Sequence, residues 1–176
     1  MFAKQSSSGN KVNIKRLTLY ALLVAVCLII GYLESLLSIT FVAIAPGVKI
    51  GLSNAVALTL VYNGDVKGAW AVNITRICLS ALLFGSPVSF LLSLSGGVAS
   101  TLVITILSKI KSVSVIGGSI AGGVTHNVFQ LIAATVFIGA GVMYYLPILL
   151  GFGAVCGAFC GVMAQLVLSK IKIFKL

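Results

Sequence analysis

Residues 17–39, LTLYALLVAVCLIIGYLESLLSI, hold a single charged side chain, Glu34. A bilayer core is crossed by roughly 20 apolar residues in a helix, so this run is long enough to span. It is too long for a cleaved signal peptide, whose apolar region covers about 7–15 residues. It reads as a first, retained transmembrane helix behind a basic leader, residues 1–16, that carries SSSGN.

The rest of the chain has the same character. Hydrophobic residues make up 60% of the 176 and charged ones 8%, with a mean hydropathy of +1.21. Soluble domains are roughly 45–50% apolar and 25% charged, so a water-facing surface cannot be built from this composition. Apolar runs bounded by Gly, Pro, Asn or Lys predict helices over 17–39, 48–62, 66–84, 88–108, 115–140 and 144–169. The expectation is an all-α integral membrane protein, a six-transmembrane-helix bundle in one membrane domain over 17–170, ending in a basic tail over 171–176.

The formal charge of +10 suggests a nucleic-acid partner only in a soluble protein. Here the basic residues mark topology. With both termini cytoplasmic, the inner segments hold Lys4, Lys11, Lys15, Arg16, Lys67, Lys109, Lys111, Lys170, Lys172 and Lys175, and the outer connections hold Lys49. Such a positive-inside bias requires an even number of spans. The chain is therefore expected in the cell membrane as a multi-pass protein, with no nucleic-acid partner. Cys27, Cys78, Cys156 and Cys160 all fall within apolar runs, where they read as small packing residues rather than disulfide or metal ligands. No metal or cofactor is expected.

Helix two is the exception in length, and it follows the Pro46-Gly47 break in FVAIAPGVKIGLSN, residues 41–54. Irregular backbone at membrane depth persists where protein or a cavity solvates it, and a short, broken segment points to a binding site. Small residues at four-residue spacing (Gly153, Gly157 and Gly161, Gly118 and Gly122, Ala21 and Ala25) allow close helix approach. They serve either packing inside the bundle or docking of another membrane protein.

Intramembrane ionisable residues are costly and so are candidates for function. At about 1.5 Å per residue, Arg76 and His126 both lie roughly 15 Å from the cytoplasmic end, near the midplane. Glu34 comes out further toward the outer end, level with Lys49 and Asn54, and so at a different depth from Arg76. Asn73, Arg76 and Ser80 share a face of helix three; Gly122, His126 and Gln130 share one of helix five, with Asn127 beside it. The candidate substrate-binding residues are Glu34, Lys49, Asn54, Asn73, Arg76, His126, Asn127 and Gln130. Interhelical hydrogen bonding of purely structural purpose is the alternative for the His126 cluster. Arg76, Lys49 and a protonatable His126 set against Glu34 favour a ligand with an anionic group.

The segments PGVKIGLSNAVAL (46–58), SLSGGVAS (93–100) and GGVTHNVFQLIAA (122–134), with Arg76 between them, resemble the membrane family known both as Gx transporters and as heptaprenyl diphosphate synthase component I. The resemblance covers roughly residues 15–170. This family is similar to the substrate-binding (S) components of energy-coupling factor (ECF) transporters, six-helix proteins with both ends cytoplasmic. The likeness implies capture of a vitamin-like compound from outside, followed by association with a coupling protein and a pair of ATPases. Ala21 and Ala25 match the Ala-x-x-x-Ala pattern of the docking surface, and residues 40–50 match the loop that helps close the site. Uptake would follow by alternating exposure, with the whole subunit toppling.

The enzymatic half of the family's name does not suit the residues. Prenyl diphosphate synthases hold magnesium with aspartate-rich motifs, and this chain has two acidic residues in all, Glu34 and Asp65. It also lacks a Walker A loop, so an ATP-driven step needs partner ATPases. The expected function is a non-enzymatic, substrate-binding subunit of an ECF-like transporter for a small anionic or amphipathic, vitamin-like or isoprenoid-related compound. Two alternatives are a non-catalytic accessory subunit in isoprenoid or quinone synthesis and a structural scaffold.

Overall fold

The computed structural model describes residues 14–41 and 51–170. Among them are six α-helices and no strand: α1 Ile14–Phe41, α2 Leu52–Tyr62, α3 Val66–Phe84, α4 Pro87–Leu107, α5 Val115–Ile138 and α6 Leu146–Lys170. Five helical stretches are long and apolar enough to cross a membrane, and α2 is the short one. Pro46, Gly47 and Lys49 lie outside the described residues.

Local signals set the helix boundaries. Asp65, Ser86 and Ser114 each accept a hydrogen bond from the backbone N–H three residues on, capping α3, α4 and α5. Pro87 opens α4, where its missing N–H has no intrahelical partner to lose. The described part of α1 already includes Ile14, Lys15 and Arg16 ahead of its apolar run; Lys15 and Arg16 are good helix formers with stems long enough to reach water. α5 stops at Gly139, whose φ of 102° ends it, and a 3-10 turn, Ala140–Tyr145, precedes α6.

The described residues place polar side chains inside beside an apolar core, and large apolar ones on the surface. Leu82, Val136 and Val155 are 82, 77 and 70% exposed, while Asn73, Ser100, Thr101, Asn127 and Gln130 are buried. Water would reverse that distribution; hydrocarbon favours it, since buried polar groups find partners only in the bundle interior. The chain is a multi-pass membrane protein.

Short connections make successive helices antiparallel. Tyr20 Oη donates to Asp65 in the α2–α3 turn, and Tyr62 Oη donates to the Ser114 carbonyl at 3.2 Å. These bonds tie together one end of the bundle, where Lys15, Arg16, Lys67, Lys109, Lys111 and Lys170 also fall. The opposite end, at the α3–α4 and α5–α6 connections, carries no charged side chain among the described residues.

α2 is the hub. The others follow one another as α1, α3, α4, α5 and α6 around an arc, and α2 packs against all five. α5 and α6 approach closely enough for backbone contact: a Cβ at Gly157 would lie 2.7 Å from the Ser119 carbonyl oxygen and 2.8 Å from Ile120 Cα. The glycine spacing of α6 therefore serves packing inside the bundle. Ala21 and Ala25 are exposed on the outer face of α1.

Candidate functional site

The first turn of α2 is anchored from three sides. Gly51, at φ 75°, adopts a left-handed conformation that costs glycine little and turns the chain into the helix. Glu34 of α1, buried at 4% exposure, accepts from Leu52 N–H, so a carboxylate meets the positive end of the helix dipole. Cys27 of α1 points its thiol at the Ser53 carbonyl (3.7 Å) and Cys160 of α6 points its thiol at that of Gly51 (3.6 Å), both weak donors.

Arg76 completes this frame from α3. Its Nε donates to Asn73 Oδ1 at 3.0 Å, Nη1 to Ser53 Oγ at 2.8 Å, and Nη2 to Asn54 Oδ1 at 2.5 Å. Three acceptors fix the plane and direction of the guanidinium, yet all are neutral and leave its charge in place. Of its five N–H donors, two remain beyond these three bonds. Asn73, almost wholly buried, donates in turn to the Gly97 carbonyl at 3.1 Å and to Thr101 Oγ1 at 2.8 Å on α4. It thereby links α4 to the arginine. Asn73→Ala is expected to lower stability by about 2–3 kcal/mol, because it removes these bonds from buried partners; thermal unfolding in detergent measures the loss.

Arg76 and Glu34 line one cavity of about 120 Å³. Its walls come from α1 to α5, and it extends to Gly85 at the uncharged end, past the aromatic rings of Phe84 and Phe90. Five serines, Ser35, Ser53, Ser80, Ser89 and Ser93, supply hydroxyls around it. A second cavity of about 30 Å³ lies toward the basic end, among α2, α4, α5 and α6. Gly51, Asn54 and His126 line both.

The structure thus brings Glu34, Asn54, Arg76 and His126 to one cavity, with Asn73 directly behind. Depth counting along straight helices separates Glu34 from Arg76; in the bundle both face the same space. His126 and Asn127 diverge. The His126 ring packs over Gly96 of α4, where a Cβ would come within 3.0 Å of Nδ1, while Asn127 donates to the Leu149 carbonyl of α6 at 2.8 Å and lines the second cavity. Gln130 is buried away from both cavities, its Oε1 without a hydrogen-bond partner among the described residues. Lys49 is outside the described residues. The sequence reading missed Ser53, which adjoins Asn54 in the same GLSN turn, and Ser89 and Ser93, whose four-residue spacing at the start of α4 was the available signal. Among the described residues, no three His, Cys, Asp or Glu side chains gather as a metal site requires.

Residues 23–167 match the family described as heptaprenyl diphosphate synthase component I. The chain belongs to this family. The match takes in the cavity residues described above, so the frame around Arg76 falls within the heptaprenyl diphosphate synthase component I region. No curated protein and no solved structure matches the chain.

Proposed function

We propose that this protein is a non-enzymatic, substrate-binding membrane subunit of an ECF-like uptake system, which takes up a small compound bearing an anionic group. The observation that carries the reading is Arg76: a half-buried guanidinium, held in one orientation by Ser53, Asn54 and Asn73, faces a cavity with two N–H donors in excess of those bonds. Glu34 faces the same cavity, and the two N–H donors of Arg76 beyond its three bonds suit an anionic group on a substrate. The positive-inside rule assigns the lysine-rich end to the cytoplasm and the cavity's end to the outside of the cell membrane. A substrate from outside then reaches Arg76 by way of Phe84 and Phe90. Partner ATPases and a coupling protein supply the energy, and Ala21 and Ala25, exposed on α1, offer small residues for docking.

The family's description favours a second reading, an accessory subunit that presents a lipid diphosphate to another component of a synthase. Purification in mild detergent followed by mass spectrometry separates the two. The transport reading expects co-purified ATPases, a coupling protein and a retained small molecule. Recovery of a prenyltransferase without ATPases would contradict it. A membrane-impermeant maleimide should label a cysteine placed at Gly141, next to Tyr144 at the uncharged end, in intact cells, and should not label one at Lys111.

A further inference from the structure

The second cavity, of about 30 Å³ among α2, α4, α5 and α6, is small but polar. Elsewhere in the bundle hydroxyls donate back onto their own helices: Thr59 to the Ala55 carbonyl, Ser80 to that of Ile77 and Thr105 to that of Thr101. Ser100 of α4 and Ser119 of α5 do not. Both line this cavity, are 3 and 5% exposed, and make no hydrogen bond through their hydroxyls to another described residue. A buried hydroxyl left in that state is costly in the interior of a membrane bundle. Glycines stand close by on the facing helices and offer no side chain to pair with: a Cβ at Gly122 would lie 3.2 Å from Ser100 Oγ, and one at Gly161 would lie 3.0 Å from Ser119 Cβ.

Two amides add to the same walls. Asn127 donates through Nδ2 to the Leu149 carbonyl, which leaves its Oδ1 to accept, and Asn54 accepts from Arg76 through Oδ1, which leaves its Nδ2 to donate. One cavity is thus lined by a donor, an acceptor and two hydroxyls able to act as either. A metal cation could use the oxygens but not the amide donor, and an apolar guest could use none of the four. Water can use them all. A cavity takes in a water molecule once it offers roughly 10–15 Å³ with two to four polar partners, and this one offers more than that volume. We infer that the second cavity is a hydration site, where ordered water bound by Ser100, Ser119, Asn127 and Asn54 braces α2 against α4, α5 and α6 and holds the Asn54 side chain in the orientation that Arg76 uses. The inference is independent of what Arg76 binds.

X-ray radiolytic labelling of the full-length protein in detergent tests it, because the beam converts bound water into hydroxyl radicals that add oxygen to the nearest reactive side chain. Cys160 is the reporter: it lines the second cavity and not the first, and at 4% exposure it is shielded from radicals formed in bulk water. Mass spectrometry is expected to find Cys160 oxidised in the wild-type protein, and the labelling lost in the double variant Ser100→Ala, Ser119→Ala, which removes two of the water's four partners. Cys78 lines neither cavity and should label equally in both proteins, which controls for dose and for the fold. If the double variant does not fold, Ser100→Ala and Ser119→Ala taken singly should each lower the labelling. An unlabelled Cys160 in the wild-type protein means a dry cavity and overturns the inference, whatever the variants do. Labelling that persists undiminished in the folded variants also overturns it. So does a rise in the wild-type unfolding temperature when sodium replaces choline at equal ionic strength, if Ser100→Ala abolishes that rise, since the occupant is then a cation.

Discussion

Arg76→Ala is expected to abolish retention of the co-purified ligand, lowering affinity by about a hundredfold or more, while the bundle stays folded. A charge-assisted, two-pronged contact contributes on the order of 3 kcal/mol, and at about 1.4 kcal/mol per tenfold its loss gives that factor. The folding cost is smaller because two effects oppose each other. Removing the guanidinium leaves Ser53, Asn54 and Asn73 without their donor, at about 1–3 kcal/mol, but it also removes a half-buried cation from among neutral hydrogen-bond acceptors. Arg76→Lys separates geometry from charge. One ammonium cannot satisfy three acceptors and a ligand together, so the lysine variant should bind nearly as poorly as the alanine variant. Native mass spectrometry for the ligand and thermal unfolding for the fold measure the two effects. Ligand retained in both variants would remove Arg76 from the site.

Gly157→Leu carries the largest expected effect on stability. The nearest atoms to a Cβ at this position are backbone atoms of α5, the Ser119 carbonyl oxygen at 2.7 Å and Ile120 Cα at 2.8 Å, and backbone cannot swing aside as a side chain can. Even Gly157→Ala must push α5 and α6 apart by several tenths of an ångström, at about 1–3 kcal/mol. Leucine requires a separation of ångströms along this helix pair, at more than roughly 4 kcal/mol, and the variant should fail to yield monodisperse protein in detergent. Gly151→Leu is the control. It lies on the same helix, exposed, with nothing within 4 Å of its Cβ, and should change stability by no more than about 0.5 kcal/mol. Equal behaviour of the two leucine variants in size-exclusion chromatography and thermal unfolding would contradict the close α5–α6 contact.

The helices themselves were legible because lipid imposes a length. Each apolar run between Gly, Pro, Asn or Lys became a helix, and the short run after Pro46-Gly47 became the short α2. Along a single helix, spacing also worked: Asn73 and Arg76, three residues apart, do meet through Nε and Oδ1. Relations across helices were not legible. Apolar residues lie both on the lipid-facing surface and in the interior, so periodicity says little about which face turns inward, and nothing in it announces that α2 is the hub. The bonds from Arg76 to Ser53 and Asn54, and the seat of Glu34 on the first turn of α2, follow from that central position. For the same reason the THNVFQ cluster divided, with His126 over Gly96 of α4, Asn127 bonded to α6 and Gln130 buried apart from both cavities.

The central claim is that Arg76 is held ready for an anionic partner in a cavity near the uncharged end. An experimental density map of the protein purified in mild detergent without added ligand tests it most directly. The account predicts density within hydrogen-bond reach of the two remaining Arg76 N–H groups, among Ser80, Ser89 and Ser93. A guanidinium turned away from Ser53 and Asn54, with the retained compound lodged in a lipid-facing groove such as that between α4 and α5, would contradict it.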